Sequence, residues 1–166
     1  MVDYIQHLST CPQYKAPQPE HLRNRASVRK QEKHANSLVG ARATLASGAL
    51  GMDGDGRALG RWRLEAKQTT KDTYRVTERV WTKLVQGALL AGEEPVLHVQ
   101  FLAAPHSKVC IVRRDYWDQD IPKGNGSIIA NELFSPFALG LDPPAVAMPE
   151  EEFKRLKVRR EKDYES

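Results

Sequence analysis

The segment Arg61-Trp62-Arg63-Leu64-Glu65-Ala66-Lys67-Gln68 alternates polar and apolar residues, and period two is the signature of a strand buried on one face. Trp62, Leu64 and Ala66 are predicted to face the core, with Arg61, Arg63, Glu65 and Lys67 on the other side. The run before it, Gly48 to Gly60, carries glycine at 48, 51, 54, 56 and 60, which gives the backbone freedom for tight turns or a short bent strand. The run after it changes period. Val76, Val80, Leu84 and Ala88, joined by Trp81, Val85 and Leu89, form an apolar helical stripe closed by Gly92 and Pro95. Val96–Phe101 and Val109–Val112 are short runs rich in β-branched residues that read as two further strands.

An earlier helix is expected from about Glu20 to Val39, ended by Gly40, because no proline or glycine interrupts it and Leu22, Ala26, Ala35, Leu38 and Val39 recur at roughly helical spacing. Helix, strands, helix, strands is the order of an α/β fold, a mixed central β-sheet flanked by helices. The 166 residues suffice for one core-bearing domain. Residues 1–20, with Pro12, Pro17 and Pro19, read as an N-terminal arm; 21–140 as the functional domain; 141–166 as a proline-containing linker and charged tail.

Composition narrows the function classes. No window approaches the roughly 18 apolar residues of a membrane span, and the N-terminus lacks the pattern of a secretion signal, so a cytoplasmic protein without membrane partners is expected. Cys11 and Cys110 lie far apart without C-x-x-C spacing, which disfavours a disulfide framework or a structural zinc site. Lys plus Arg exceed Asp plus Glu by 25 to 21, and Arg23, Arg25, Arg29, Lys30, Lys33 and Arg42 cluster around the single acid Glu32. Such a field suits a polyanion, most commonly nucleic acid.

The chemistry-bearing pattern is Asp53-Gly54-Asp55-Gly56 followed by Glu65-Ala66-Lys67. Residues i and i+2 of a strand project to one face about 6.5 to 7 Å apart, so Glu65 and Lys67 can address a common group. Hydrolysis of a phosphodiester needs a cation, oxygen ligands to hold it and a positioned water. Asp55 and Glu65 fit as ligands of Mg²⁺ or Mn²⁺, with Asp53 an alternative to Asp55, and Lys67 would orient or help deprotonate the attacking water and stabilise the developing charge. A calcium loop on Asp53 and Asp55 fails, because Ala58 and Leu64 stand where glycine and glutamate are required. A second E-x-K, Glu152-Phe153-Lys154, lies in the charged tail and reads as chance. His98 reads as a structural histidine, since no second His or Cys accompanies it at metal spacing. His34 receives no chemical role, and Trp81 reads as packing.

These residues resemble the PD-(D/E)XK nuclease superfamily, and within it the four-way (Holliday) junction resolvases of archaea and phages. The likeness runs from about Arg29 to Val112, about half of the chain: the basic helix R-K-Q-E, the Ser47-Gly48 turn, Gly54-Asp55, E-A-K with Gln68-Thr69-Thr70-Lys71, the amphipathic helix, and P-V-L-H-V-Q-F. The resemblance implies a restriction-endonuclease-like core in which Glu32 completes the metal site of Asp55 and Glu65. It also implies that Lys67 is the catalytic lysine and Ser47 the loop serine near the scissile phosphate. An acid inside a basic helix supports the reading of Glu32, because a purely DNA-binding surface would gain by losing it. The implied activity is structure-specific DNA cleavage at four-way junctions, with phosphate contacts from Arg29, Lys30, Lys33, Arg57, Arg63 and Lys71. A homodimer follows from substrate logic, a two-fold junction meeting a two-fold protein. The competing expectations are another nuclease of the superfamily, of restriction, repair or flap type, and a non-catalytic basic DNA-binding module.

Overall fold

The period-two segment lies inside a seven-stranded sheet. The structure, a computed structural model, describes residues 20–43, 55–104, 107–117, 119, 122–124, 127–130 and 135–165. Two units are distinguished, Met1–Lys30 and Gln31–Ser166. The described part of the first is helical, and Arg25, Arg29 and Lys30 are exposed on it; this helix, α1 (Glu20–Val39), runs on into the second unit. The remaining elements are β1 (Arg42–Ala43), β2 (Gly56–Ala58), β3 (Trp62–Thr69), β4 (Thr73–Arg75), α2 (Glu78–Leu90), β5 (Glu94–Phe101), β6 (Lys108–Arg113), a turn of 3₁₀ helix, β7 (Ser127–Ile129), β8 (Phe137–Leu139), β9 (Ala145–Pro149) and α3 (Glu150–Glu165).

The sheet order is β1-β2-β3-β5-β6-β9-β8, while β4 and β7 pair separately. All neighbours are antiparallel except β3 and β5, which run parallel from Trp62 beside Glu94 to Thr69 beside Phe101. A parallel pair cannot be joined by a tight turn, and the intervening chain forms β4 and α2. Thr77 caps α2, its hydroxyl accepting the Val80 amide at 3.4 Å, and Glu78 places a negative charge at the positive end of the helix. Trp81, Leu84, Val85 and Ala88 bury the predicted stripe. Trp81 is core, as expected, with its indole N–H donating to the Pro143 carbonyl at 2.7 Å.

Both faces of the sheet are covered. One apolar cluster joins α2 to Leu97, Val99, Phe101, Val109 and Ile111. The other joins Ala35, Leu38 and Val39 of α1 and Phe153 and Leu156 of α3 to Trp62, Leu64, Val96, Cys110 and Val146, with Ala66 packed against it. The alternation expected for β3 therefore holds, but its second face is also covered: Arg63 is only 8% exposed.

The segment 141–166 differs from the linker and tail expected of it. Ala145–Met148 is buried between β6 and β8, and α3 buries Phe153 and Leu156. A strand covered on both faces shows no alternation, and two apolar residues three apart in a charged helix give a weak stripe, so neither element announces itself locally. The folded unit extends through α3 instead of ending near residue 140. The second E-x-K thus sits on a packed helix directly after a strand.

Candidate functional site

Strand β2 pairs with β3 only over Trp62–Leu64. One residue upstream, Asp55 continues the ladder by itself: its amide donates to the Leu64 carbonyl at 2.7 Å, and its Oδ2 accepts the Ala66 amide at 2.7 Å. The carboxylate is thereby pinned to the backbone between Glu65 and Lys67. Gly56, the next residue, is required for space more than for backbone freedom. A Cβ there would fall 1.6 Å from Asn36 Oδ1 on α1, so β2 and the helix approach as closely as a bare backbone permits.

Glu65 and Lys67 share a face of β3 and form an ion pair. Burial lowers the Lys67 pKa, but the hydrogen bond to Glu65 and the charges of Glu65, Asp55 and Tyr74 outweigh it, and the ammonium is held above its ordinary value. A lysine in that state is a poor base and a good fixed charge, which favours the electrostatic half of its expected role. Tyr74 of β4 lies close enough to exchange influence with this pair: burial and Glu65 raise its phenol, while Lys67 lowers it. Sequence reasoning missed Tyr74, because a three-residue strand carries no usable period; its one local signal is an aromatic among polar residues shortly after E-A-K-Q. A cleft of about 580 Å³ lined by Arg75–Glu78, Gly140 and Leu141 opens farther along the chain from Tyr74 and is not lined by Asp55, Glu65 or Lys67.

Glu32 is half-buried on α1. Its neighbour Gln31 is buried and donates Nε2 to the Lys67 carbonyl at 2.6 Å, a direct tie between that helix and β3. Among the described residues, the one set of three His, Cys, Asp or Glu side chains whose ligand atoms all lie within 4.8 Å of one another is His34, His98 and Glu150; Glu32, Asp55 and Glu65 do not close up that far. Ser47 and Asp53 lie outside the described residues.

The expected phosphate contacts divide. Arg29, Lys30, Lys33 and Lys71 are exposed. Arg57 and Arg63 stand opposite one another across the β2–β3 ladder and both bind the fully buried Glu93 carboxylate, at 2.7 and 3.1 Å. A buried carboxylate demands compensating charge, and two guanidiniums supply it in charge-assisted geometry, so both arginines already serve an internal partner.

On the opposite face of the sheet is a second polar cluster. In the parallel register His98 lies beside Ala66, not beside Glu65 or Lys67. Glu150, at the start of α3, places Oε2 2.9 Å from Nε2 of both His34 and His98, and Lys154 approaches its Oε1 at 3.1 Å. Burial raises the Glu150 carboxyl, but the bonds to His98, His34 and Lys154 outweigh it and hold the group well below the usual carboxylate range. Cys110 is paired with His98 across β5 and β6, and burial, aided by Glu150, keeps its thiol protonated. His98 reads from the sequence as a structural histidine because no second His accompanies it at metal spacing along the chain; in the fold His34 shares its carboxylate partner. Its second histidine comes from α1, whose spacing to β5 no local motif records; the one clue is a polar ring in an otherwise apolar, fully buried strand.

No protein-family model matches this chain, and no curated protein matches it in sequence.

Proposed function

We propose that this protein is a divalent-cation-dependent DNA endonuclease with a restriction-endonuclease-like core, acting on four-way junctions as a homodimer. One observation carries the reading: the Asp55 carboxylate sits on the Ala66 amide, within electrostatic reach of Lys67 and beside Glu65. Two carboxylates and an ammonium gathered at the open end of a hairpin are a costly arrangement for stability alone, and perturbed ionisable groups concentrate at reactive sites.

The donor set fits a hard cation. Asp55 and Glu65 offer only oxygen, and each has a second carboxylate oxygen beyond the one engaged with Ala66 or Lys67, which suits Mg²⁺ or Mn²⁺. Asp55 and Glu65 would hold the ion, with Glu32 contributing from α1, and when bound it would neutralise phosphate charge and favour ionisation of water. The chain's own groups do the rest. Lys67, kept protonated by its neighbours, holds negative charge on the phosphate, and its partial burial preserves the strength of that interaction. Gln31 fixes the backbone of Lys67, so the ammonium is presented from a braced strand. Ser47 remains the loop residue proposed near the scissile phosphate. Arg29, Lys30, Lys33 and Lys71 supply sequence-independent phosphate contacts, and Arg57 and Arg63 leave that group.

The test is a panel of labelled duplex, flap, Y-form and four-way DNA with Mg²⁺. Paired symmetric nicks confined to the four-way substrate are expected, and Glu65→Gln should bind junctions but not cut them. Cleavage spread equally over all forms would point to another nuclease of the superfamily. Binding without cleavage by the wild-type chain would point to a non-catalytic DNA-binding module.

A further inference from the structure

We propose that His34, His98 and Glu150 form a separate metal site, suited to a borderline cation such as Zn²⁺ and tying α1, β5 and α3 together. Two imidazoles and one carboxylate are the donors such ions prefer, and they leave a fourth position open. The three ligand atoms lie within 4.8 Å of one another, each from a different element. Two of them are shielded, His98 being fully buried and the Glu150 side chain 7% exposed, while His34, with its side chain 37% exposed, leaves a way in from solvent.

A second observation separates this cluster from an ordinary buried hydrogen-bond network. His34 Nε2 lies 2.9 Å from Glu150 Oε2, which only accepts, and 3.2 Å from Lys108 Nζ, which only donates. A proton on Nε2 satisfies the carboxylate and repels the ammonium, and its absence does the reverse, so no placement satisfies both. A cation between the imidazoles and the carboxylate removes the conflict, with the half-buried Lys108 withdrawing along its flexible stem. Lys108 is then a resident positive charge that occupies the site's periphery until a metal displaces it. His98 Nε2, 2.9 Å from Glu150 Oε2, carries the proton it donates there, and metal binding would release that proton to free the nitrogen as a ligand.

This site stands apart from the nuclease reading, because His98 lies beside Ala66, on the face of the sheet away from Glu65 and Lys67; α1 carries both Glu32 and His34. The experiment is titration of the full chain with Co²⁺, followed by its visible absorption, then displacement by Zn²⁺. One equivalent of nitrogen-coordinated Co²⁺, displaced by Zn²⁺, is expected. His34→Ala alters a partly exposed position and should keep the wild-type circular dichroism while weakening binding by more than about tenfold. Lys108→Met should tighten it. If the wild-type chain binds neither ion at micromolar concentration, or His34→Ala binds as well as the wild type, the proposal is overturned.

Discussion

The two faces of the central sheet carry polar clusters of opposite design. On one, Asp55, Glu65 and Lys67 are half-buried at the end of a short hairpin, with an ammonium kept charged among carboxylates. On the other, His34, His98 and Glu150 are wedged between helices and sheet, with one carboxylate oxygen serving two imidazoles. The difference teaches what desolvation selects. Where water still reaches, charges can be left imperfectly matched and available to a ligand; where it does not, each charge must be matched from several elements at once, as Glu93 is by Arg57 and Arg63. The first arrangement is suited to reaction, the second to holding the fold or an ion.

That contrast can be broken by experiment. The largest effect is expected at the half-buried cluster: Glu65→Gln or Asp55→Asn should lower junction cleavage by about 10³-fold, roughly 4 kcal/mol of transition-state stabilisation, with little change in melting temperature. A matching loss of stability would make the cluster structural and erase the distinction.

Glu150→Ala should behave oppositely, costing about 3 kcal/mol in urea unfolding because buried partners are left uncompensated. Its pH dependence has a definite sign. The folded-state pKa is depressed, so the contribution is complete above the ordinary carboxylate value of about 4.3 and is lost as pH falls through the acid range. Stability of Glu150→Gln should consequently fall less steeply on acidification than that of the wild type; equal slopes would mean the carboxylate is not held in its charged form.

Gly56→Ala tests the close approach of β2 to α1. The added methyl meets Asn36, and a loss of about 2 kcal/mol with reduced cleavage is expected, since Asp55 must shift with its neighbour. The smallest effect concerns DNA contact. Lys71→Ala should reduce the salt dependence of junction binding by about one unit of slope, whereas Arg57→Ala should leave that slope unchanged and lower stability instead. A reduced slope in Arg57→Ala would return that arginine to the DNA surface.

Much of the frame was legible in the chain. The alternation of β3 and the stripe of α2 are local periods, and with Val96–Phe101 they predict strand, helix and strand without tertiary information. Glu65 and Lys67 were legible together for the same reason, since a strand forces i and i+2 onto one face. The acid before the hairpin was legible only as a choice between Asp53 and Asp55, of which the described residues include Asp55, set beside Ala66. Strand β9 was not, because full burial removes alternation, and Phe153 and Leu156 disappear into a helix that reads as a solvated charge run.

The sequence by itself determined where the backbone is helical or extended over its strongest periods and which charges share one side of a strand. Only the tertiary structure decided which of those charges are matched. It assigned Arg57 and Arg63 to Glu93, and it brought His34 and His98 to Glu150 across separations of 116 and 52 residues. The physical reason is range: periodicity is fixed by neighbours along the chain, whereas the cost of desolvating a charge is offset by whichever groups the fold places around it, and no local pattern encodes their identity.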